Sequence, residues 1–158
     1  MSMYLRFDAE HLPSLITTNT HHRHPIFTSA APCELLLRTI YNARSELSFH
    51  LLAFTIMPDH LHLILVPAPD GLSRAMQVIK GRFARAYNRH VGGTGAVWQS
   101  RYHERTLRNE EALFRAIEYV HQNPVAAHLS SEPQAYRWSS AGGRHPTDVE
   151  AYFGQAKA

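Results

Sequence analysis

Residues 48–66 read SFHLLAFTIM, then Pro58-Asp59, then HLHLILV. Two apolar, β-prone runs flank a two-residue break, which is the pattern of a β-hairpin. Side chains alternate faces along a strand. In the second run, Leu61, Leu63 and Leu65 therefore share one face, and His60, His62, Ile64 and Val66 share the other. A strand apolar on both faces is a central one, covered on both sides. Its two histidines then stand at the edge of a buried layer.

On the N-terminal side, residues 15–20 form a short β-prone run and HHRHP (21–25) a turn. Pro32 suits a first helical position, and Cys33, Leu36, Leu37, Ile40 and Ala43 follow at helical spacing, so residues 32–46 are expected to be an amphipathic helix. On the C-terminal side, Leu72, Ala75, Met76, Ile79, Phe83, Ala86 and Tyr87 predict a second helix over 72–89. Gly92, Gly93 and Gly95 make a loop, and 97–108 is a short β-like stretch. Asn109 is a good N-cap, with Glu110 and Glu111 in the first helical turn. That helix is expected to end near Gln122, because Pro124 disfavours helical geometry at Asn123. The order β-α-β-β-α-β-α predicts an α+β fold: a ferredoxin-like split βαβ core with a central antiparallel sheet, plus an extra C-terminal helix. Residues 1–158 are expected to form one domain, with an irregular tail from about residue 128.

Composition narrows the function classes. Apolar residues make up 44% and charged residues 18%, which excludes a disordered chain. A lone cysteine, Cys33, excludes an internal disulfide framework, fits a reducing compartment, and is expected to be buried and inert on its helix. No run approaches the roughly 18 apolar residues of a membrane span. The opening MSMYLRFDAEHLPS has no apolar signal core, so the cytoplasm is the expected location. Residues 77–108 hold seven Lys/Arg (Lys80, Arg82, Arg85, Arg89, Arg101, Arg105, Arg108) against one acid, Glu104. That is +6 in a chain of formal charge +3, which leaves −3 for the rest. Basicity this local suits a nucleic-acid surface. Arg82, Arg85 and Arg89 share one helix face as a candidate phosphate track, and a solvated helix surface is the alternative.

Two imidazoles on one face of a strand can chelate one metal ion, with a third ligand from another element. The competing reading, polar residues on a half-exposed strand, sits poorly with Ile64 and Val66 continuing the same face. On the last helix Tyr119 and Asn123 are four residues apart and share a face. Alone, Tyr119 reads as a boundary tyrosine and Asn123-Pro124 as a helix stop.

Together these segments resemble a known family. MPDHLHLILVP (57–67) is similar to the His-hydrophobe-His motif of single-tyrosine transposases acting on single-stranded DNA. IEYVHQNPVAAHL (117–129) resembles the catalytic helix of one branch, the REP-associated tyrosine transposases. KGRFARAYNRH, VWQSRYHER and YRWSS resemble further segments of that branch in the same order, and the likeness spans about residues 14–140. The resemblance implies Tyr119 as nucleophile and His60, His62 and Asn123 as ligands of a divalent ion, Mg or Mn. It also implies a single-strand DNA endonuclease and strand-transferase that acts near hairpins and leaves a 5′-phosphotyrosine and a free 3′-hydroxyl. Monomers are the expectation for this branch, and homodimers occur in the wider family. Where family members often carry Arg-Ala-Gly after Asn-Pro-Val, this chain has Ala126-Ala127-His128.

Other features rank below these. A non-catalytic module for single-stranded nucleic acid, and a metal-dependent hydrolase of small phosphoesters, are the rival functions. Trp98, Tyr102 and Trp138 could stack bases but read better as core. Tyr87 and Tyr102 are the rival nucleophiles, and His21, His22 and His24 read as surface residues of a turn. The glycine loop lacks the lysine of a P-loop.

Overall fold

The computed structural model describes residues 12–156; the N-terminal stretch in which no signal core is read lies mostly outside them. A four-stranded sheet is built from β1 (Ser14–Asn19), β2 (His50–Met57), β3 (His60–Val66) and β4 (His103–Thr106), in the order β2-β3-β1-β4. All three neighbouring pairs are antiparallel. The helices are α1 (Ala30–Leu47), α2 (Leu72–Val91), α3 (Glu110–Ala126) and α4 (Val149–Ala156). The ferredoxin-like split βαβ arrangement expected from the sequence is the one observed.

The hairpin sets the rest. Met57 pairs with His60 across Pro58-Asp59, and β3 lies between β2 and β1. Leu61, Leu63 and Leu65 point into a core with Ile16, Phe54 and Ile56 beneath α1 and α2, where Leu36, Ile40, Ile79 and Phe83 are sealed from solvent. Ile64 and Val66 point the other way, into a second core closed by Leu113, Ala116 and Val120 of α3 and Tyr152 of α4. A bulge between Leu51 and Ala53 switches the parity of β2. Leu51 therefore joins the first core, and Leu52 and Ala53 the second. Trp98 is buried against Phe27 and Phe83 as a core residue. Burial pushes the Cys33 thiol up to about 12, so this cysteine is an inert core group.

Two expectations change. Helix α3 does not stop at Gln122 but continues through Pro124 to Ala126. Proline so near a C-terminus forfeits one helical hydrogen bond and buries its ring, and neither ends the helix. The chain beyond 128 also carries more structure than the sequence reading gives it: two 3-10 turns, Pro133–Ala135 and Ser140–Gly142, and then α4. Between them the chain runs along the free edge of β2. Ile56 N–H donates to Trp138 O (2.8 Å), Tyr136 Oη–H to Ile56 O (2.6 Å), and Asp148 N–H to Leu51 O (2.7 Å). Phe54 N–H donates to Ser140 Oγ (3.0 Å). An open edge strand invites pairing with other chains, and this strap occupies it.

Ser48 and His128 close α1 and α3 in the left-handed region, at φ 62° and 60°. His128 thus keeps the turn geometry that glycine adopts freely. Only glycine takes this conformation without steric cost. Ser48→Gly and His128→Gly are each expected to stabilise the fold by about 0.5–1 kcal/mol, raising Tm by about 1–4 °C in thermal unfolding.

Candidate active site

The face of β3 that carries the histidines looks toward α3. Register places Thr17 of β1 opposite His62 on one side and His103 of β4 on the other. Cross-strand partners point to the same face, so His62, Thr17 and His103 form a row. Above it stands the last half of α3. An Asn109 side-chain oxygen accepts from Ala112 N–H (2.8 Å) and fixes the start of that helix. Its end is tied to the strap by His121 Nε2 and Ser140 Oγ at 2.7 Å. The apolar residues Leu113, Ala116 and Val120 seat the helix on the sheet, which leaves Tyr119 and Asn123 over the histidines.

A cleft of about 480 Å³ results, lined by His60, His62, Tyr119 and Asn123 together with Arg23 and His103 among others. The rings of His60 and His62 lie 4.8 Å apart, and those of His62 and Tyr119 5.4 Å apart, edge to face. All four residues singled out in the sequence therefore meet in one place. Tyr119 is half exposed, open to a large substrate. A second hollow of about 370 Å³ adjoins on the β4 side of the tyrosine, lined by Leu15, Thr17, His103, Glu104 and Arg105 with Tyr119.

Each histidine has its Nδ1 committed. His60 Nδ1 donates to Asp59 Oδ1 (2.7 Å), and His62 Nδ1 sits 2.8 Å from Thr17 Oγ1. A carboxylate only accepts, so the proton in this contact sits on Nδ1 of His60. Among the described residues no group hydrogen-bonds either Nε2, leaving one nitrogen per ring for a ligand. Burial, then the neighbouring His60, pulls the His62 pKa down to about 4, so its imidazole is neutral at physiological pH. Burial pushes the Asp59 carboxyl up, but hydrogen bonds from His60 and Arg23 outweigh it, and the group sits below the ordinary carboxylate value. Imidazoles whose Nδ1 is held by a carboxylate or a hydroxyl suit a pair of metal ligands. Among the described residues no three His, Cys, Asp or Glu form a cage. The donor set in the cleft is two imidazoles and the Asn123 amide, which fits a divalent ion left with open positions for phosphate oxygens.

The basic residues divide. Lys80 Nζ is half buried and donates to Gln99 O (2.9 Å), and Arg82 forks onto Glu46 (2.6 and 2.9 Å). Arg85 and Arg89 are exposed on α2, on the opposite side of the sheet from the cleft; Arg89 borders a groove with Arg38 of α1. Arg101, Arg105 and Arg108 are exposed in and around β4, and Arg105 lies beside Tyr119. Sequence reasoning missed Thr17, Asp59, Arg23 and His103 as parts of the site. Asp59 sits directly before His60 and was legible only as a turn residue. His103 lies in a strand, HERT, with no apolar alternation to fix its register.

Comparison with known proteins gives the family. Relatives include a REP-associated tyrosine transposase of Escherichia coli K12, 26% identical over 127 residues, covering 79% of this chain and 73% of that one. A putative REP-associated tyrosine transposase of Haemophilus influenzae is 27% identical over 88 residues, about half of each chain. Among solved structures, a REP-associated tyrosine transposase bound to a REP hairpin superposes with a TM-score of 0.73 at 23% identity, covering 90% of this chain and 84% of that chain. A putative transposase from Deinococcus radiodurans gives 0.54 at 20% identity, over 72% and 91%. The resemblance to the REP-associated branch is thus borne out. The family model described as transposase IS200-like matches residues 12–123, and the chain belongs to that family of transposases.

Proposed function

We propose that this transposase cleaves and rejoins single-stranded DNA at or near hairpins, with Tyr119 as nucleophile and His60, His62 and Asn123 holding a divalent ion, Mg or Mn. One observation carries the reading: the phenol of Tyr119, the amide of Asn123 and two imidazoles line one open cleft. The Tyr119 oxygen attacks the scissile phosphorus and gives up its proton. The bond to the 3′-oxygen breaks and that oxygen leaves as a free hydroxyl, while a 5′-phosphotyrosine keeps the strand. The covalent link conserves the bond energy, so a second 3′-hydroxyl reverses or redirects the reaction without ATP. When bound, the ion supplies charge neutralisation and Lewis acidity at the phosphate. Asp59 and Thr17 orient the two imidazoles, and the half-exposed position of Tyr119 admits a backbone phosphate. Arg105, which lines the hollow beside Tyr119, is the cation for strand phosphates next to the nucleophile, and the exposed Arg101 and Arg108 around β4 and Arg85 and Arg89 on the far face are further candidates. A single chain supplies all four residues, which supports activity as a monomer.

The test uses a labelled single strand carrying a hairpin, incubated with the protein and Mn. A protein–DNA adduct that survives a denaturing gel is expected, with loss on adding a chelator. Hairpin binding without any adduct or cleavage would favour a non-catalytic binding module instead.

A further inference from the structure

The turn His21–Arg23 is held in an unusual shape. His22 and Arg23 both have positive φ, 53° and 56°. Two consecutive residues with side chains in the left-handed region are strained, and such strain persists only where surrounding structure over-determines it. Here it does. Thr20 N–H donates to Asp59 O (3.0 Å), the Thr20 hydroxyl lies 2.7 Å from His24 O and 3.0 Å from Asp59 O, and His21 N–H donates to Val97 O (2.8 Å). The turn is thereby riveted to the tip of the β2–β3 hairpin.

The product of this geometry is the placement of one guanidinium. Arg23 Nε–H donates to Asp59 Oδ2 (3.0 Å) and Nη1–H to Asn19 Oδ1 (3.0 Å). The other oxygen of the same carboxylate, Asp59 Oδ1, takes the proton of His60 Nδ1 (2.7 Å). Arg23 also lines the cleft, with about half of its side chain still in solvent. An arginine doing no more than pairing on the surface would not need a strained turn to carry it.

We infer that Arg23 is a positioning residue: it clamps Asp59, and through Asp59 fixes the tautomer and orientation of the His60 imidazole. A planar fork held at two points restrains a carboxylate in a way that a point charge does not. With Asp59 fixed, the His60 ring keeps its Nδ1–H on the carboxylate. Without Arg23 the carboxylate is free to turn to water, and the ring samples both tautomers. The relevance to metal binding rests on the proposed function; the clamp itself does not.

The experiment is long-range proton–nitrogen NMR of the metal-free protein, paired with Mn titration by calorimetry. His60 in the unaltered protein is expected to be Nδ1-protonated. Arg23→Ala is expected to give a mixture of tautomers and a Mn affinity about tenfold weaker, the effect typical of an outer-shell partner. Arg23→Lys is expected to fall between the two. Asp59→Ala should shift the tautomer as Arg23→Ala does, and adding Arg23→Ala to it should change nothing more, because the route is then already cut. His22→Gly relieves strain in the turn and should leave His60 unmoved. If His60 keeps its tautomer in Arg23→Ala, or if Arg23→Ala still alters it in the Asp59→Ala background, the inference is overturned. If the unaltered protein takes up no Mn, the metal reading fails, while the tautomer result still decides on Arg23.

Discussion

Tyr119→Phe is expected to abolish the covalent protein–DNA adduct and to lower cleavage of a hairpin-bearing strand by roughly 10⁴-fold or more, the scale of losing a nucleophile. The substitution removes one hydroxyl and nothing else. The aromatic ring remains edge-on to His62, where the ring centres lie 5.4 Å apart. Tyr119 is half exposed on α3, and the side chain makes no hydrogen bond among the described residues, so stability should change by less than about 0.5 kcal/mol. Hairpin affinity, measured by fluorescence anisotropy, should change by less than about twofold if the phenol serves the reaction and not binding. An adduct that persists in Tyr119→Phe sinks the assignment. The rival tyrosines are poorly placed to take over. Tyr87 stacks on Phe83 against the α1–α2 core, and Tyr102 packs against the same core beneath Lys80. Neither lines the cleft.

The placement of the candidate residues on strand and helix was legible for a physical reason. Alternation along HLHLILV puts His60 and His62 on one face whatever the sheet does elsewhere, and four-residue spacing puts Tyr119 beside Asn123 on any helix. These are local periodicities that the chain cannot escape. Their meeting was not local. It depends on α3 crossing the β3 face, which Ile64 and Val66 demanded only as some cover and did not specify. The resemblance to known transposases, not the spacing, linked the two motifs.

Features that depend on cross-strand register or on strain stayed hidden. Thr17 reads as one of several β-prone threonines until the β1–β3 register sets it opposite His62. HHRHP reads as a surface turn, since nothing in its composition says that His22 and Arg23 will be held left-handed. The cations read between residues 77 and 108 divide between different surroundings in three dimensions. Lys80 and Arg82 have partners, and α2 packs on the face of the sheet opposite α3, whereas Arg105 lines the hollow beside Tyr119. A linear cluster of cations is a surface only when its residues share one.

The least legible element, the strap beyond residue 128, supports the second large effect. Asp148→Asn is expected to destabilise the fold by about 2 kcal/mol at pH 7, lowering Tm by about 4–8 °C. Asp148 is nearly buried, pairs with Arg44 through two hydrogen bonds, and accepts Leu51 N–H at 2.8 Å. It joins α1, the β2 edge and the start of α4. Its carboxyl is held below the ordinary value, first by the Arg44 hydrogen bond, with burial opposing. A depressed folded-state pKa adds stability above the unfolded value of about 3.9, and that stability fades as pH falls through the lower folded value. The gap between the unaltered protein and Asp148→Asn should therefore be full at pH 7 and narrow below about pH 4. Thermal unfolding at pH 7 and pH 3 measures it. A gap that stays constant would mean that the shape of the side chain and its bond to Leu51 matter, and not its charge. The strap also bonds His121 through Ser140, so loosening it should loosen the half of α3 that carries Tyr119 and Asn123. In Asp148→Asn, cleavage should then fall at temperatures below the onset of global unfolding.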